Sequence, residues 1–356
     1  MPLRRRDVLS AGMIALSGCS AFTQSGDTNT PDQSKDTNTT GGVEEANTSI
    51  QGPTRWQTYG RTPAHQASYD RGSVPSKAPS TEQSYKLTGS RATSPVASED
   101  YIVVGDEGGV LIVPFDDQEK PRRVEPPGSV AGTPSIDGGT VYVSSDGQAS
   151  GTEPAHVSAV TTEGKTTWQT DLSATAVTMP TVWNGTVFVR SGKGYLALEG
   201  DSGETRWRTE ASDWSNARGF LEFENVGPAV GNDVVVFPDD DGLAAVDPAD
   251  GTVRWKHRLQ KVRSCPVIAD GTVYVTDVRS GVHAFDAATG DRQWQWSGTG
   301  CRSPPVVSDG RIYTTETYDI VALDRASGAR VWRTTLQGGL YSGLSLVGDT
   351  ILTTSG

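Results

Sequence analysis

Short apolar runs alternating with polar positions recur along most of this chain, and a period of two reads as strands. Val282-His283-Ala284-Phe285 is one such run. It ends in Asp286-Ala287-Ala288-Thr289-Gly290, a turn in which the carboxylate caps backbone and the Gly supplies φ > 0. The chain then reverses into a run carrying Trp294. The pattern returns at Trp207, Trp255 and Trp332, each eight residues after an acidic position (Glu199, Asp247, Asp324), and in a shorter form at Trp168. A second pattern travels with it. Pro266 to Val275 reads as strand, Asp-Gly turn and strand, a strong hairpin signal. Its relatives start at Pro95, Pro134, Pro180, Pro228 and Pro305, with a degenerate copy at Leu344.

Four strands per unit, about forty residues per unit and seven units predict an all-β fold. The expected architecture is a seven-bladed β-propeller of four-stranded antiparallel blades, with eight blades as the alternative count. One large flat ring at a fixed place per unit fills the gap between neighbouring sheets. Trp168, Trp207, Trp255, Trp294 and Trp332 are therefore expected to be structural, with no ligand assigned to them. The first units are worn: Tyr85 stands at one expected Trp position and Val124 at the next. Two units are lengthened, at 144–157 and 208–227, and the second insertion carries Trp214, Arg218, Phe220 and Phe223 outside the repeat pattern. Long loops with non-repeat aromatics are where such folds keep function.

The unit, with its apolar-Asp-x-x-x-Gly turn and Trp and its Pro-led Asp-Gly hairpin, resembles the pyrroloquinoline-quinone-type β-propeller repeat over roughly residues 56–356. That repeat builds quinoprotein alcohol dehydrogenases and the propeller lipoprotein of the Gram-negative outer-membrane assembly machine. The resemblance implies the fold; enzymes, scaffolds and sensors all use it. It also implies that the segment around Trp56 precedes the first blade. Because the seventh hairpin is not followed by the acidic-turn strand, this segment is expected to supply a strand to the last blade, covering its open edge.

The N-terminus reads separately. Residues 1–19 form a targeting segment: a twin-arginine pair, Arg5-Arg6, a short apolar stretch, and Leu16-Ser17-Gly18-Cys19, which resembles a lipobox. Arg5 and Arg6 are the expected export signal and Cys19 the expected lipid acceptor, which puts the protein on the extracellular face of the cytoplasmic membrane. Residues 20–52 are nearly devoid of apolar side chains and read as a disordered tether with a reach of roughly 30 Å. The propeller is expected over 53–356.

Charge narrows the partners. The 356-residue chain is net −12, with 28 Asp among its 43 acidic residues and 23 Arg against 8 Lys. An Asp-rich, Lys-poor surface is what keeps a protein hydrated in concentrated salt, and it points to a halophilic, archaeal source. No basic stripe appears, which argues against nucleic acid.

Chemistry is sparse. His65, His156, His257 and His283 show no metal-ligand spacing, and no P-loop, CxxC, HExxH or GxSxG is present. Asp239-Asp240-Asp241-Gly242 is expected to be a solvated turn and not a calcium loop. Quinoprotein dehydrogenases carry an adjacent Cys-Cys pair over the cofactor; Cys265 and Cys301 are not adjacent and are expected to be buried free thiols. No metal and no cofactor is expected. The reading is a non-catalytic, membrane-anchored, monomeric binding or scaffold module for a protein or small ligand. A quinone-dependent dehydrogenase and a surface-protein assembly factor are the alternatives. The candidate binding face is Arg263 and Arg302, each three residues before a repeat Pro, with Trp214 and Arg218 from the long loop. Arginine suits a carboxylate or phosphate partner through bidentate hydrogen bonds.

Overall fold

The computed structural model describes the strand Cys19–Phe22 and residues 57–354 except 59, 61, 70–84, 90–91, 117, 148–152, 193, 212–225, 232, 240–241, 302, 309 and 337–342. The described residues are all-β and form seven sheets. No described helix is long and apolar enough to cross a membrane. Sheet 5 shows the unit: strands Val267–Ala269, Thr272–Asp277, Gly281–Asp286 and Arg292–Trp296, hydrogen-bonded in that order and antiparallel. Sheets 1 (96–124), 2 (129–171), 3 (181–210), 4 (229–258) and 6 (306–335) repeat it, sheet 2 with an extra short strand, Ser129–Val130. The inner strands of sheets 1 to 6 pack against one another in chain order. This is a β-propeller.

Two features of the repeat account for how the sheets join. Each Trp lies directly opposite a buried Ala: Ala159 with Trp168, Ala197 with Trp207, Ala245 with Trp255, Ala284 with Trp294, Ala322 with Trp332. The register shifts immediately after every one of these alanines. A bulge there adds local twist and re-aims the ring. The indole N–H then donates into the next sheet: Trp168 to Gly200 O (2.7 Å), Trp207 to Pro248 O (3.0 Å), Trp255 to Ala287 O (2.9 Å) and Trp294 to Arg325 O (3.0 Å). The turn Gly of that next sheet lies on the same ring. A Cβ on Gly290 would stand 2.7 Å from Trp255 Cγ, and Gly251 meets Trp207 at 2.5 Å. The Gly is thus required twice, for its φ of +74° to +78° at these two sites and for the absence of a side chain under the indole.

Six apolar clusters fill the six successive seams from sheets 1–2 to sheets 6–7. They are rich in Val, whose branched Cβ suits the pleated surface. Each fully buried Val, Leu, Ile or Phe contributes about 1.5–3 kcal/mol. Val124, at a worn Trp position, joins the first of these cores.

The last sheet departs from the pattern. Ser345–Val347 and Thr350–Thr354 pair antiparallel, and Ser68–Tyr69 pairs parallel with Leu346–Val347. Cys19–Phe22 pairs antiparallel with Ile351–Thr354. Trp56 lies outside the described residues. The strands that join this sheet come from further along the chain and from its start, and Ser20 to Phe22, read as tether, are among them. Both additions satisfy backbone groups that a two-stranded hairpin leaves open.

Candidate binding face

The described residues between Gln57 and Ala67 cross the inner strands. The residue two after the repeat Pro, or after Leu344 in its place, donates its N–H to this segment in four sheets: Ile136 to Gln57 O (2.7 Å), Val230 to Pro63 O (2.8 Å), Ile268 to Ala64 O (2.9 Å) and Leu346 to Ala67 O (3.1 Å). Gln66 Nε2 adds a bond to Ile268 O at 3.0 Å. These are the edge groups that face the middle of the ring, and the protein covers them with its own chain. Gly60 makes the bend: its φ is +69°, and its carbonyl accepts from Thr62 and Ala67 N–H at 3.0 and 2.8 Å.

Side chains tie the inner strands to each other. Ser135 Oγ donates to Pro180 O and Thr181 Oγ1 to Pro228 O, both at 2.7 Å and both into the next sheet. Ala229 has no hydroxyl to continue the series toward Pro266. His65 takes that place, its Nδ1–H donating to Pro266 O at 3.3 Å. It is fully buried, and burial lowers its pKa to about 4. The other imidazoles are also built into the frame. His257 Nε2–H donates to Gly290 O, where Thr170 and Thr209 hydroxyls bond Gly203 O and Gly251 O. His283 lies 2.9 Å from Ser280 Oγ. Among the described residues no group of three or more His, Cys, Asp or Glu could hold a metal ion.

The opposite end, where each inner strand begins, carries the acidic residue that closes the second strand. Asp106 is buried, accepts N–H from Thr88 (2.9 Å) and Gly108 (2.8 Å), and takes a bidentate pair from Arg123 at 2.6 and 2.8 Å. Burial alone would raise its pKa; these donors outweigh it and hold the carboxyl below its ordinary value. Asp146 has, among the described residues, only Val177 N–H at 3.1 Å, and burial pushes it up to about 6. Asp277, fully buried, accepts four backbone N–H groups: Gln260, Lys261, Arg279 and Ser280.

Asp239 differs. It is buried in the seam of sheets 3 and 4, accepts the Tyr195 hydroxyl, and pairs with fully buried Arg190 at 2.7 Å. Tyr195 stacks on Phe237 at 4.8 Å, and the Lys256 ammonium lies 5.7 Å from the Tyr195 ring centroid. Asp239 is therefore not part of a solvated turn, because an arginine in the neighbouring strand draws it inside. Arg190 and Tyr195, the partners of Asp239, escaped the sequence reading. The available signal was an Arg in Thr186–Ser191, a strand whose other positions are buried and mostly apolar.

Of the expected face, Arg263 is half-buried beside the bridge Val262–Asp277. Arg302, Trp214 and Arg218 lie outside the described residues. Arg5 and Arg6 do too, and only the backbone pairing of Cys19 is described. Cys265 and Cys301 are buried free thiols, both pushed up to about 12 by burial. Cys265 Sγ accepts Gly227 N–H at 3.2 Å.

The sequence profile of the family described as outer membrane protein assembly factor BamB matches residues 131–334 and 280–356. The chain belongs to this family. No curated protein matches it. Among solved structures it is similar to BamB from Moraxella catarrhalis: 16% identity, TM-score 0.55, covering 75% of this chain and 100% of that one. It is similar to the computationally designed Ika8 protein, with 13% identity, TM-score 0.58 and coverage of 74% and 84%. A quinohemoprotein alcohol dehydrogenase from Comamonas testosteroni shares 15% identity at TM-score 0.52, over 85% of this chain and 52% of that one. At these identities the likeness is one of fold, and propellers of this repeat include both an assembly factor and a dehydrogenase.

Proposed function

We propose that the protein is a membrane-anchored, exported propeller that binds or assembles other proteins and catalyses no reaction. The observation carrying this reading is the segment 57–67, which engages inner-strand N–H groups in four sheets. With four of the inner edges taken by the protein's own chain, the rim and flanks remain for a partner. The family match to an assembly factor supports the same reading. The alternative, a quinone-dependent dehydrogenase, draws on the likeness to the alcohol dehydrogenase. The chain has no adjacent Cys-Cys pair of the kind such enzymes carry. Crosslinking in the native host followed by purification separates the two: a protein partner without quinone absorbance supports the scaffold, and a stoichiometric quinone chromophore overturns it.

Anchoring is tested apart from binding. Cys19→Ser is expected to leave the protein unlipidated and released or unprocessed, and Arg5→Lys with Arg6→Lys to block export. Membrane retention of the Cys19→Ser chain equal to wild type would remove the lipoprotein reading.

A further inference from the structure

The rim of sheets 4 to 6 holds a group of cations that the repeat does not require. The carboxylate of Asp277, beside them in the chain, is consumed by backbone. It accepts the N–H of Lys261 at 3.2 Å and of Arg279 at 2.7 Å, so these two residues flank one buried carboxylate. Neither side chain forms an ion pair among the described residues. Arg279 is exposed and Lys261 half-buried. Among the described carboxylates of this rim, Glu316 and Asp319 pair with Arg333, and Asp239 of sheet 4 pairs with Arg190.

The strip continues into sheet 6. Val278, next to Arg279, accepts Gly300 N–H at 2.8 Å, and a Cβ on Gly300 would stand 2.9 Å from Thr317 Oγ1. Thr317 holds φ +55°, where the equivalent two-residue turn of sheet 3 has Gly192 at +53°. A β-branched residue in the left-handed region is strained, and such strain clusters at functional positions. The turn it forms presents Tyr318, 58% exposed, the most exposed large apolar side chain among the described residues.

We infer that Lys261, Arg279 and Tyr318 form a docking strip for an acidic segment of a partner protein, an inference that rests on the binding role proposed above. Arginine takes a carboxylate through two parallel bonds, and an exposed tyrosine is a low-entropy anchor. The strip spans neighbouring turns only. A membrane or a nucleic acid is a broad polyanion and would also meet the rest of a protein whose net charge is −12. A short acidic chain meets the strip alone.

The experiment uses the full-length Cys19→Ser chain, so that no acyl group contributes. A fluorescein-labelled peptide of Glu, Asp and Gly, and its Gln/Asn counterpart, are titrated and followed by anisotropy. The acidic peptide is expected to bind at least tenfold tighter than its neutral counterpart. Lys261→Gln with Arg279→Gln is expected to lose about tenfold, and Tyr318→Ala severalfold, with melting temperatures unchanged. Flotation with phosphatidylglycerol vesicles is the control for a lipid surface. The strip is refuted by absent binding, by equal binding of both peptides, by an unaffected double variant, or by vesicle capture that depends on Lys261 and Arg279 in place of peptide binding. A crosslinked partner held equally by wild type and double variant would refute the strip and leave the scaffold function standing.

Discussion

At the scale of single residues, the repeat's invariants turn out to be contacts between units. The turn Gly of one sheet lies on the Trp of the previous one, so a methyl group at Gly290 meets Trp255 at 2.7 Å while φ is +78°. Gly290→Ala is expected to destabilise by about 2–3 kcal/mol, from backbone strain and overpacking together. Thermal melting checks this, and a wild-type midpoint would show that the indole can move aside at no cost. His257 tests the same logic from the other direction. It bonds Gly290 O where Thr170 and Thr209 serve their own seams. His257→Thr is expected to stay within about 1 kcal/mol of wild type, and His257→Ala to lose more, near the value of one hydrogen bond. Equal melting of all three proteins would make the bond irrelevant.

At the scale of elements, the hairpins and Trp strands were legible because their causes are local: alternation, an Asp-Gly turn, an acidic residue eight positions before a Trp. The path of 57–67 was not. Nothing in Gln57 to Ala67 alternates, and its bonds run to residues in four sheets far along the chain. The Arg190–Asp239 pair was hidden for the same reason, since its partners are 49 positions apart in sequence and meet only across a seam. His65 gives the segment a pH signature. Its folded pKa, about 4, lies below the ordinary 6.5, so the unfolded chain binds the proton first as pH falls. Stability from this site is complete above pH 6.5 and is lost as pH drops toward 4, on the order of 3 kcal/mol in all. His65→Gln keeps a side-chain donor for Pro266 O and removes the titration. Its unfolding free energy is expected to fall less between pH 6.5 and 4 than that of wild type; superimposable profiles would place the proton elsewhere.

At the scale of the whole molecule, charge is distributed by the repeat itself. Asp247, Asp286 and Asp324 occupy the same turn in sheets 4, 5 and 6, and each accepts N–H groups from its own turn: Ala249 at 2.8 Å, Ala288 and Thr289 at 2.9 Å, Ser327 at 3.0 Å. Hydrogen bonds from Arg254, from Thr289 and from Ser327 respectively lead the causes that hold these carboxyls below their ordinary range, so all three remain charged near neutrality. The local bonds make the turns; the charges add to a net −12 and repel one another across the disc. Screening reaches about 10 Å at 0.1 M salt and about 3 Å at 1 M, so concentrated salt should relieve that repulsion without loosening the turns. The melting temperature is accordingly expected to rise steeply between 0.1 and 2 M NaCl. Asp247→Asn, Asp286→Asn and Asp324→Asn together keep a side-chain oxygen for the turn amides and delete three charges. Because the depressed pKa values make the ionised forms stabilising, and Asp247 and Asp324 pair with Arg254 and Arg311, the triple variant is expected to melt below wild type at low salt and, with a different net charge, to respond to added salt with a different slope. Parallel curves would mean that salt acts through the apolar seams alone, and that the acidic turns are kept for their hydrogen bonds and not for their charge.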